Sequence, residues 1–423
     1  MTTLLGAFVV AAAGLIQGSG VWPFKLMRIY QFEHWWFISA LVGLIIMPWT
    51  ITLLGCPDAL QALANVPVSA IVLGNLFAIG WGVANVLCGI CYVRIGVALT
   101  GAILAGLGVS FGAVVPLIFK GSGLFRDSPS LASTAGMTVL MGVAVMLVGV
   151  TLASLAGFGR DRVVARTEEK LGGFLGGLIM TVIAGVLSSF MAFSFIYSQG
   201  PIVARFSTVQ PRSEVTVTAH VPNPHAGPKA MTTGYQSDPI SGKYTVGDDG
   251  TIALKGAGPV GIGGMSAFAA SQQIRHAIDP DGKAEVRVET GSIPATFAAF
   301  AVGLFGGALI NIGYAAYLLS RNRSWGILLQ SQRELFLAAI IGVDFSLAVA
   351  LMGKGMLMLG ALGASIGWGI QQAMQMTGTQ LLGFLSGEWR GVHGKPRIQM
   401  YLAIAIFLVA AIVLAYGNTM PRQ

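Results

Sequence analysis

Apolar residues run along this chain in blocks near the ~20 residues a bilayer-spanning helix needs, and polar residues collect between the blocks. Ten such segments are read at 2–22, 35–54, 68–93, 97–118, 135–157, 173–197, 295–319, 334–353, 358–386 and 398–417. One long polar stretch, 203–293, separates the sixth from the seventh. Within it EVTVTAHV (214–221), KYTV (243–246), TIALKG (251–256) and AEVRVET (284–290) alternate like short strands. Asp248-Asp249-Gly250 is a turn signal between two of them, and 266–278 has helical periodicity. The fold class expected is an all-α polytopic membrane protein with a small β-rich, β-grasp-like domain inserted between helices 6 and 7. The domains expected are 1–202 for helices 1–6, 203–293 for an extracytoplasmic insertion, and 294–423 for helices 7–10.

Composition agrees with that pattern. The 423 residues are 54% hydrophobic and 10% charged, against about 25% charged in an ordinary soluble domain. The 58 glycines suit helices that pack closely in lipid. Three cysteines give no disulfide framework; Cys88-x-x-Cys91 falls inside an apolar segment without His or Cys nearby, which reads as packing and not as a metal site. No cofactor and no metal are implied.

The net charge of +8 is concentrated in short connections, which makes it an orientation signal and not a nucleic-acid footprint. The first, third, fifth, seventh and ninth connections carry 13 Lys and Arg, against 4 in the second, fourth and eighth plus the tails. Odd-numbered connections are therefore expected in the cytoplasm, with both termini and the insertion outside. The location expected is a bacterial inner (cytoplasmic) membrane, crossed many times.

The two halves resemble each other. Gly82-Val83-Ala84-Asn85 in the third segment parallels Gly342-Val343-Asp344-Phe345 in the eighth, and 142–154 in the fifth parallels 403–416 in the tenth. A repeat of five spans must be inverted in the membrane, which places a transport site near the midplane between the repeats.

Asp344 is the acid that lies deep in a segment, with no Lys or Arg in the segment to pair with it. A carboxylate at that depth costs roughly 2.5–3.5 kcal/mol or more and normally faces a cavity or a partner. A carboxyl that is neutral when dry and ionised when wet is what proton coupling requires; the alternative is a packing carboxyl bonded to a neighbouring helix. Glu33, beside His34 at the start of the second segment, is a second candidate for proton coupling or gating, or part of a solvated interfacial cluster.

Uncharged polar residues in apolar segments are candidates for reading sugar hydroxyls. Gln17, Asn85 and Asn311 each stand in otherwise apolar surroundings, and the ninth segment carries Gln371, Gln372 and Gln375, with Gln371 and Gln375 on one face at i, i+4. Trp81 and Trp368 offer rings to stack on a sugar. Each amide serves equally well as an interhelical hydrogen bond. Trp35, Trp36 and Trp49 sit at segment ends and read as an interfacial belt.

A family resemblance rests on many of these residues. Pro23-Phe24-Lys25 is followed by Glu33 and Trp36, then by Met47-Pro48-Trp49. The third segment has Trp81-Gly82-x-x-Asn85-x-x-x-Gly89, and the sixth Gly185-x-x-Ser188-x-x-Met191. The seventh has Gly306-Gly307-x-x-x-Asn311-x-Gly313; the ninth has Ser365-Ile366-Gly367-Trp368, then Gly383-x-x-x-x-Glu388-Trp389. In these the chain resembles the L-rhamnose–proton symporter (RhaT) family of the drug/metabolite transporter superfamily. The resemblance implies a ten-helix carrier that imports a 6-deoxyhexose with protons by alternating access, and no enzyme. Its partners are then a small sugar, protons and the bilayer, with no nucleic acid, and a glycan or protein is a candidate partner for the insertion. Departures are the insertion itself, Gln371 where compact enterobacterial members have histidine, and the segment around Asp344. Two alternatives stay open: a drug/metabolite-type carrier for another monosaccharide or small metabolite, and a membrane-anchored glycan sensor.

Overall fold

The computed structural model describes residues 2–95, 97–118, 131–164, 174–222, 235–237, 240–255, 257–279, 284–359 and 363–417. Helices cover each of the ten apolar segments: α1 (Thr2–Ser19), α2 and α3 (Phe32–Ala40 and Met47–Gly55, joined by a π-helical turn at Leu41–Ile46), α5 (Val68–Ile95), α6 (Val97–Ile118) and α7 (Thr134–Val164) in the first half. A short helix, α4 (Ala59–Ala64), precedes α5. The sixth segment is α8 (Phe174–Ser188) and α9 (Phe190–Phe206), and the seventh is α11 (Ile293–Gly303) and α12 (Phe305–Arg321). The last three are α13 (Gln332–Leu359), α14 (Gly363–Leu385) and α15 (Lys395–Gly417).

Among the described residues, 7 helical stretches are long and apolar enough to cross a membrane, or 8 if α11 and α12, bent by 60°, count as one span. The chain is thus a polytopic membrane protein. α14 falls short of that criterion, in keeping with the glutamines that made it a site candidate. Lys120, Arg126, Arg166, Lys170 and Arg422, used above for orientation, lie outside the described residues.

Two compact units divide the chain. The larger holds residues 1–48, 71–198 and 300–423, the smaller residues 49–70 and 199–299. Stretch 49–70 joins the insertion there, where Gly55 backs onto Pro294 so closely that a Cβ would stand 2.6 Å from its Cγ.

In the larger unit the helices approach through glycines. A Cβ at Gly43 would stand 2.4 Å from the Gly342 carbonyl oxygen, and one at Gly307 would stand 2.6 Å from that of Ala78. With the segments numbered one to ten, these are pairings 2:8 and 7:3. Gly14 and Gly18 meet Gln371 and Gln375 (1:9), while Gly108 and Gly185 meet Ser188 and Leu107 (4:6). Gly355 meets Gly6 and Val10 (8:1); Gly80 meets Phe190 (3:6). Gly149 meets Phe407 (5:10) and Gly112 meets Trp368 (4:9). Exchanging each segment for the one five places away maps these contacts onto one another or onto themselves, whereas Gly367 against Met356 (9:8) has no glycine counterpart at 4:3 among the described residues. On α7, Met137, Met141, Val148 and Leu155 form an exposed stripe while Ala135, Val139, Val143, Met146 and Val150 are buried, the arrangement of a helix with one face to lipid and one to protein.

The second and seventh segments, partners in that exchange, are both irregular: one has the π-helical turn, the other breaks at Leu304. Asn75 bridges the break. Its Nδ2 donates to Val302 O at 2.9 Å and its Oδ1 accepts from Gly306 N at 2.6 Å, while Ser194 Oγ donates to Gly303 O. Irregular backbone at membrane depth persists only where such partners satisfy it.

The insertion contains the expected strands and helix. β1 (Glu214–Pro222) pairs antiparallel with β2 (Tyr235–Ser237) and β3 (Gly242–Thr245) on one edge and with β6 (Glu285–Glu289) on the other. β4 (Thr251–Leu254) and β5 (Gly258–Gly261) form a hairpin, followed by α10 (Ala267–Ile278), whose cap Ser266 accepts from Ala269 N. The turn 248–250 ends on Gly250 at φ +76°, a conformation glycine adopts without strain. Val215, Val217 and Ala219 alternate inward against Ile252, Ile262, Ile274 and Val288. β5 escaped the sequence reading because Gly-Pro-Val-Gly carries no alternation. The strand–helix–strand order of a β-grasp-like unit is present, but a second hairpin precedes the helix and every pairing among the described residues is antiparallel.

Candidate functional site

A cavity of about 90 Å³ lies inside the larger unit. α1 and the residues after it contribute Ile16, Gln17, Gly20 and Val21; α2 and its π-helical extension contribute Trp35, Trp36, Ser39, Ala40 and Leu44. Trp81 and Asn85 come from α5, Asn311 from α12, and Ile341 and Phe345 from α13. No charged side chain is in this lining. Its surface is mainly apolar, with rings from Trp35, Trp36, Trp81 and Phe345 and amides from Gln17, Asn85 and Asn311, which suits a neutral molecule with C–H faces to stack and a few hydroxyls to bond.

The chain's own bonds decide how the amides are presented. Asn311 is buried, and its Nδ2 donates to Gly307 O at 2.8 Å. A carbonyl takes only a donor, so Asn311 Oδ1 is the atom left to accept, and it does so from Asn85 Nδ2 at 3.3 Å. Asn85 thereby keeps its Oδ1 free. Behind Gln17, Gln371 Nε2 donates to Gln17 Oε1 at 2.6 Å and to Gln375 Oε1 at 3.0 Å. Gln17 Oε1 is engaged, leaving its amide protons for the cavity.

Of the sequence-predicted binding residues, Gln17, Trp81, Asn85 and Asn311 are brought together around the cavity. Gln371 and Gln375 stand behind Gln17 and reach it through hydrogen bonds. Trp368 and Gln372 are turned elsewhere: Trp368 Nε1 donates to Gly108 O at 3.0 Å and is buried against α6, and the Gln372 amide lies near the same glycine. Trp35 and Trp36, expected in an interfacial belt, line the cavity, and Trp36 stacks on Phe32 at 5.3 Å. Sequence reasoning also missed Ser39, Leu44, Ile341 and Phe345. Trp36 and the neighbours of Asp344 were in view, but nothing in the pattern says which way they turn.

Asp344 is half-buried and adjoins the cavity wall without lining it. A Cβ at Gly20 would meet its Cβ at 3.0 Å and its Oδ2 at 3.6 Å. Three other acids of this unit, among the described residues, are engaged. Asn322 Nδ2 donates to the buried Glu33 at 2.8 Å; buried Glu334 accepts from the backbone N–H groups of Arg28, Ile29 and Tyr30; Glu388 pairs with Lys25 and Arg160. Among the described residues, Asp344 has no hydrogen bond or ion pair. His34 Nδ1 accepts from Gln31 N and its Nε2 faces Ser324 O at 3.3 Å, so His34 and Glu33 together hold the connection after α12. These bonds also tie the first, fifth, seventh and ninth connections to one face of the unit.

Comparison with known proteins fits this geometry. Residues 3–207 match the model of a family described as L-rhamnose-proton symport protein (RhaT). Proteins called L-rhamnose-proton symporter from Yersinia pestis bv. Antiqua (strain Antiqua) and Yersinia pseudotuberculosis serotype O:1b (strain IP 31758) are each 30% identical over 172 residues, 41% of this chain and 49% and 48% of theirs. The chain spans about half the length of the curated relatives it matches. The motifs quoted above for the seventh and ninth segments fall outside residues 3–207. The similarity to the L-rhamnose-proton symport (RhaT) family thus extends over residues 3–207, a little under half of this chain.

Proposed function

We propose that the protein imports a 6-deoxyhexose, L-rhamnose first among them, together with protons, by alternating access across a bacterial inner membrane. The observation that carries this reading is the uncharged cavity in which Gln17, Trp81, Asn85 and Asn311 converge from three helices of the larger unit, in a chain whose first half matches a sugar–proton symport family. Amides pair with hydroxyls, and tryptophan faces take the C–H side of a pyranose.

The exchange pattern of the helix contacts supports two five-segment repeats of opposite orientation, giving ten spans. A shift by an odd number of spans reverses direction in the membrane, and such repeats exchange access by rocking around a site at their interface. The excess of Lys and Arg in odd-numbered connections supports a cytoplasmic face there and an extracytoplasmic insertion. Asp344 is the proton site in this reading. It lies 12 residues into α13, about 18 Å from the helix start at 1.5 Å per residue, beside the cavity and without a partner among the described residues. Glu33, bonded to Asn322, is the second proton-coupling residue in this reading.

Purified protein in proteoliposomes tests the reading. Uptake of labelled L-rhamnose is expected to rise severalfold under an inward proton gradient and to collapse with an uncoupler. Gradient-independent uptake removes the coupling, and uptake only of some other monosaccharide keeps the carrier but changes its substrate.

A further inference from the structure

The cavity is not uniform along its length, and the helix contacts give its depth order. Glu33 bonds Asn322 and Glu334 bonds the backbone of residues 28–30, so the start of α2, the end of α12 and the start of α13 lie at one end of the unit. α5 and α12 run in the same direction, since Asn75 meets Gly306 and Asn85 meets Asn311. Moving away from that end therefore means going up in number along α2 and α13 and down along α1 and α5.

On that scale Trp35, Trp36 and Val21 come first and the amides of Gln17, Asn85 and Asn311 occupy the middle. Leu44, eight residues beyond Trp36, lies about 12 Å deeper, and Phe345 about 6 Å deeper than Ile341. Trp81 is one helical turn deeper than Asn85, and its ring stacks on Phe345 at 6.2 Å between centroids and 16° between planes, which places the two at one level. The inner end of the cavity is thus Leu44, Phe345 and the face of Trp81, while Ile16 adjoins Gln17 at the level of the amides. Leu44 and Phe345 are hydrocarbon throughout and offer no group to bond a hydroxyl; the donor at that level is the Trp81 indole N–H, at the edge of its ring.

We propose that Leu44 and Phe345 form a specificity subsite for the C6 methyl group of a 6-deoxyhexose, the substrate class of the reading above, on which this inference rests. The ring hydroxyls then fall at the level of the amides, and the one carbon without oxygen meets the side chains of Leu44 and Phe345, which have no bonding group. A hexose that keeps its C6 hydroxyl would bury it there unpaired. A purely apolar pocket rejects an added hydroxyl only moderately, by about a hundredfold at most, so the discrimination expected here is of that order and not absolute.

The matched pair of sugars is L-rhamnose and L-mannose, which differ by the C6 oxygen alone. Reconstituted wild-type protein is expected to show a kcat/KM for L-rhamnose about 10- to 100-fold above that for L-mannose. Phe345→Tyr, which adds one oxygen at the floor, and Leu44→Thr, which adds another, should each narrow that ratio about tenfold. A change that only perturbs folding lowers both sugars together and leaves the ratio where it was. The subsite is overturned if wild type carries L-rhamnose yet treats the two sugars alike, or if both variants still carry L-rhamnose and keep the wild-type ratio. Wild-type protein that carries no L-rhamnose would instead remove the reading of function, and the subsite with it.

Discussion

Gln371 reaches Gln17 across 354 positions of sequence, its Nε2 donating to the Gln17 Oε1 at 2.6 Å from a buried position behind the cavity wall. One glutamine faces the cavity and the other holds it in place, so two residues of the same type have different roles.

Replacing Gln371 with leucine should therefore act through Gln17. The variant keeps most of the volume but frees Gln17 to turn, and loss of one oriented hydrogen bond corresponds to roughly 0.5–1.5 kcal/mol, about two- to tenfold in affinity. KM for L-rhamnose uptake is expected to rise by that factor with kcat little changed. An unaltered KM in the folded variant would detach Gln371 from the site.

Asp344→Asn should abolish concentrative uptake and leave sugar exchange across the membrane in place. Asparagine keeps the size and polarity of the side chain but cannot release a proton. Counterflow and gradient-driven uptake, measured on the same proteoliposomes, separate the two. Accumulation at the wild-type level in Asp344→Asn would take Asp344 out of the mechanism.

Asn75 serves both sides of the break between α11 and α12. Asn75→Ala leaves the Val302 carbonyl and the Gly306 amide without their partner, and each unsatisfied buried group costs about 1–3 kcal/mol. Thermal unfolding in detergent should start several degrees lower. Asn75→Asp keeps the acceptor for Gly306 N but sets a carboxylate oxygen against Val302 O inside an apolar segment, so it should be no more stable than alanine. A wild-type melting profile for Asn75→Ala would show that the break is held by other contacts.

Two glutamate side chains on the same face should differ sharply in weight. Glu334 is buried and accepts three backbone N–H groups, whereas Glu388 meets Lys25 and Arg160 at a partly exposed site. Hydrogen bonds to a charged group contribute about 1.5–3 kcal/mol, and exposed ion pairs about 0–1 kcal/mol. Glu334→Ala is expected to lower Tm clearly, and Glu388→Gln to leave it nearly unchanged at physiological salt. The reverse order would place the main restraint of the first connection on the ion pair.

The local features of this chain were legible before any tertiary structure. Helix covers the ten apolar blocks, 7 or 8 of them as stretches long and apolar enough to span among the described residues, and the alternation of 214–221 became β1, because both patterns depend on neighbours within a few residues. The isolation of Asp344 was legible too, since a charge in an apolar block stands out wherever it points.

What the sequence left open was rotation about each helix axis. In a soluble protein the polar stripe of a helix marks the outside, but lipid is as apolar as a core, so these helices are apolar on both the buried and the exposed face. Gln371 and Gln372 are adjacent and look alike in sequence. A turn of about 100° between them sends one toward Gln17 and the other toward α6. Trp36 and Trp368 changed places for the same reason: one expected at the interface lines the cavity, and one expected in the site packs beside Gly108. By itself the sequence determined which residues carry usable chemistry. Only the packing of α1, α2, α5, α12 and α13 decided which of them meet, because that is settled by contacts between residues hundreds of positions apart.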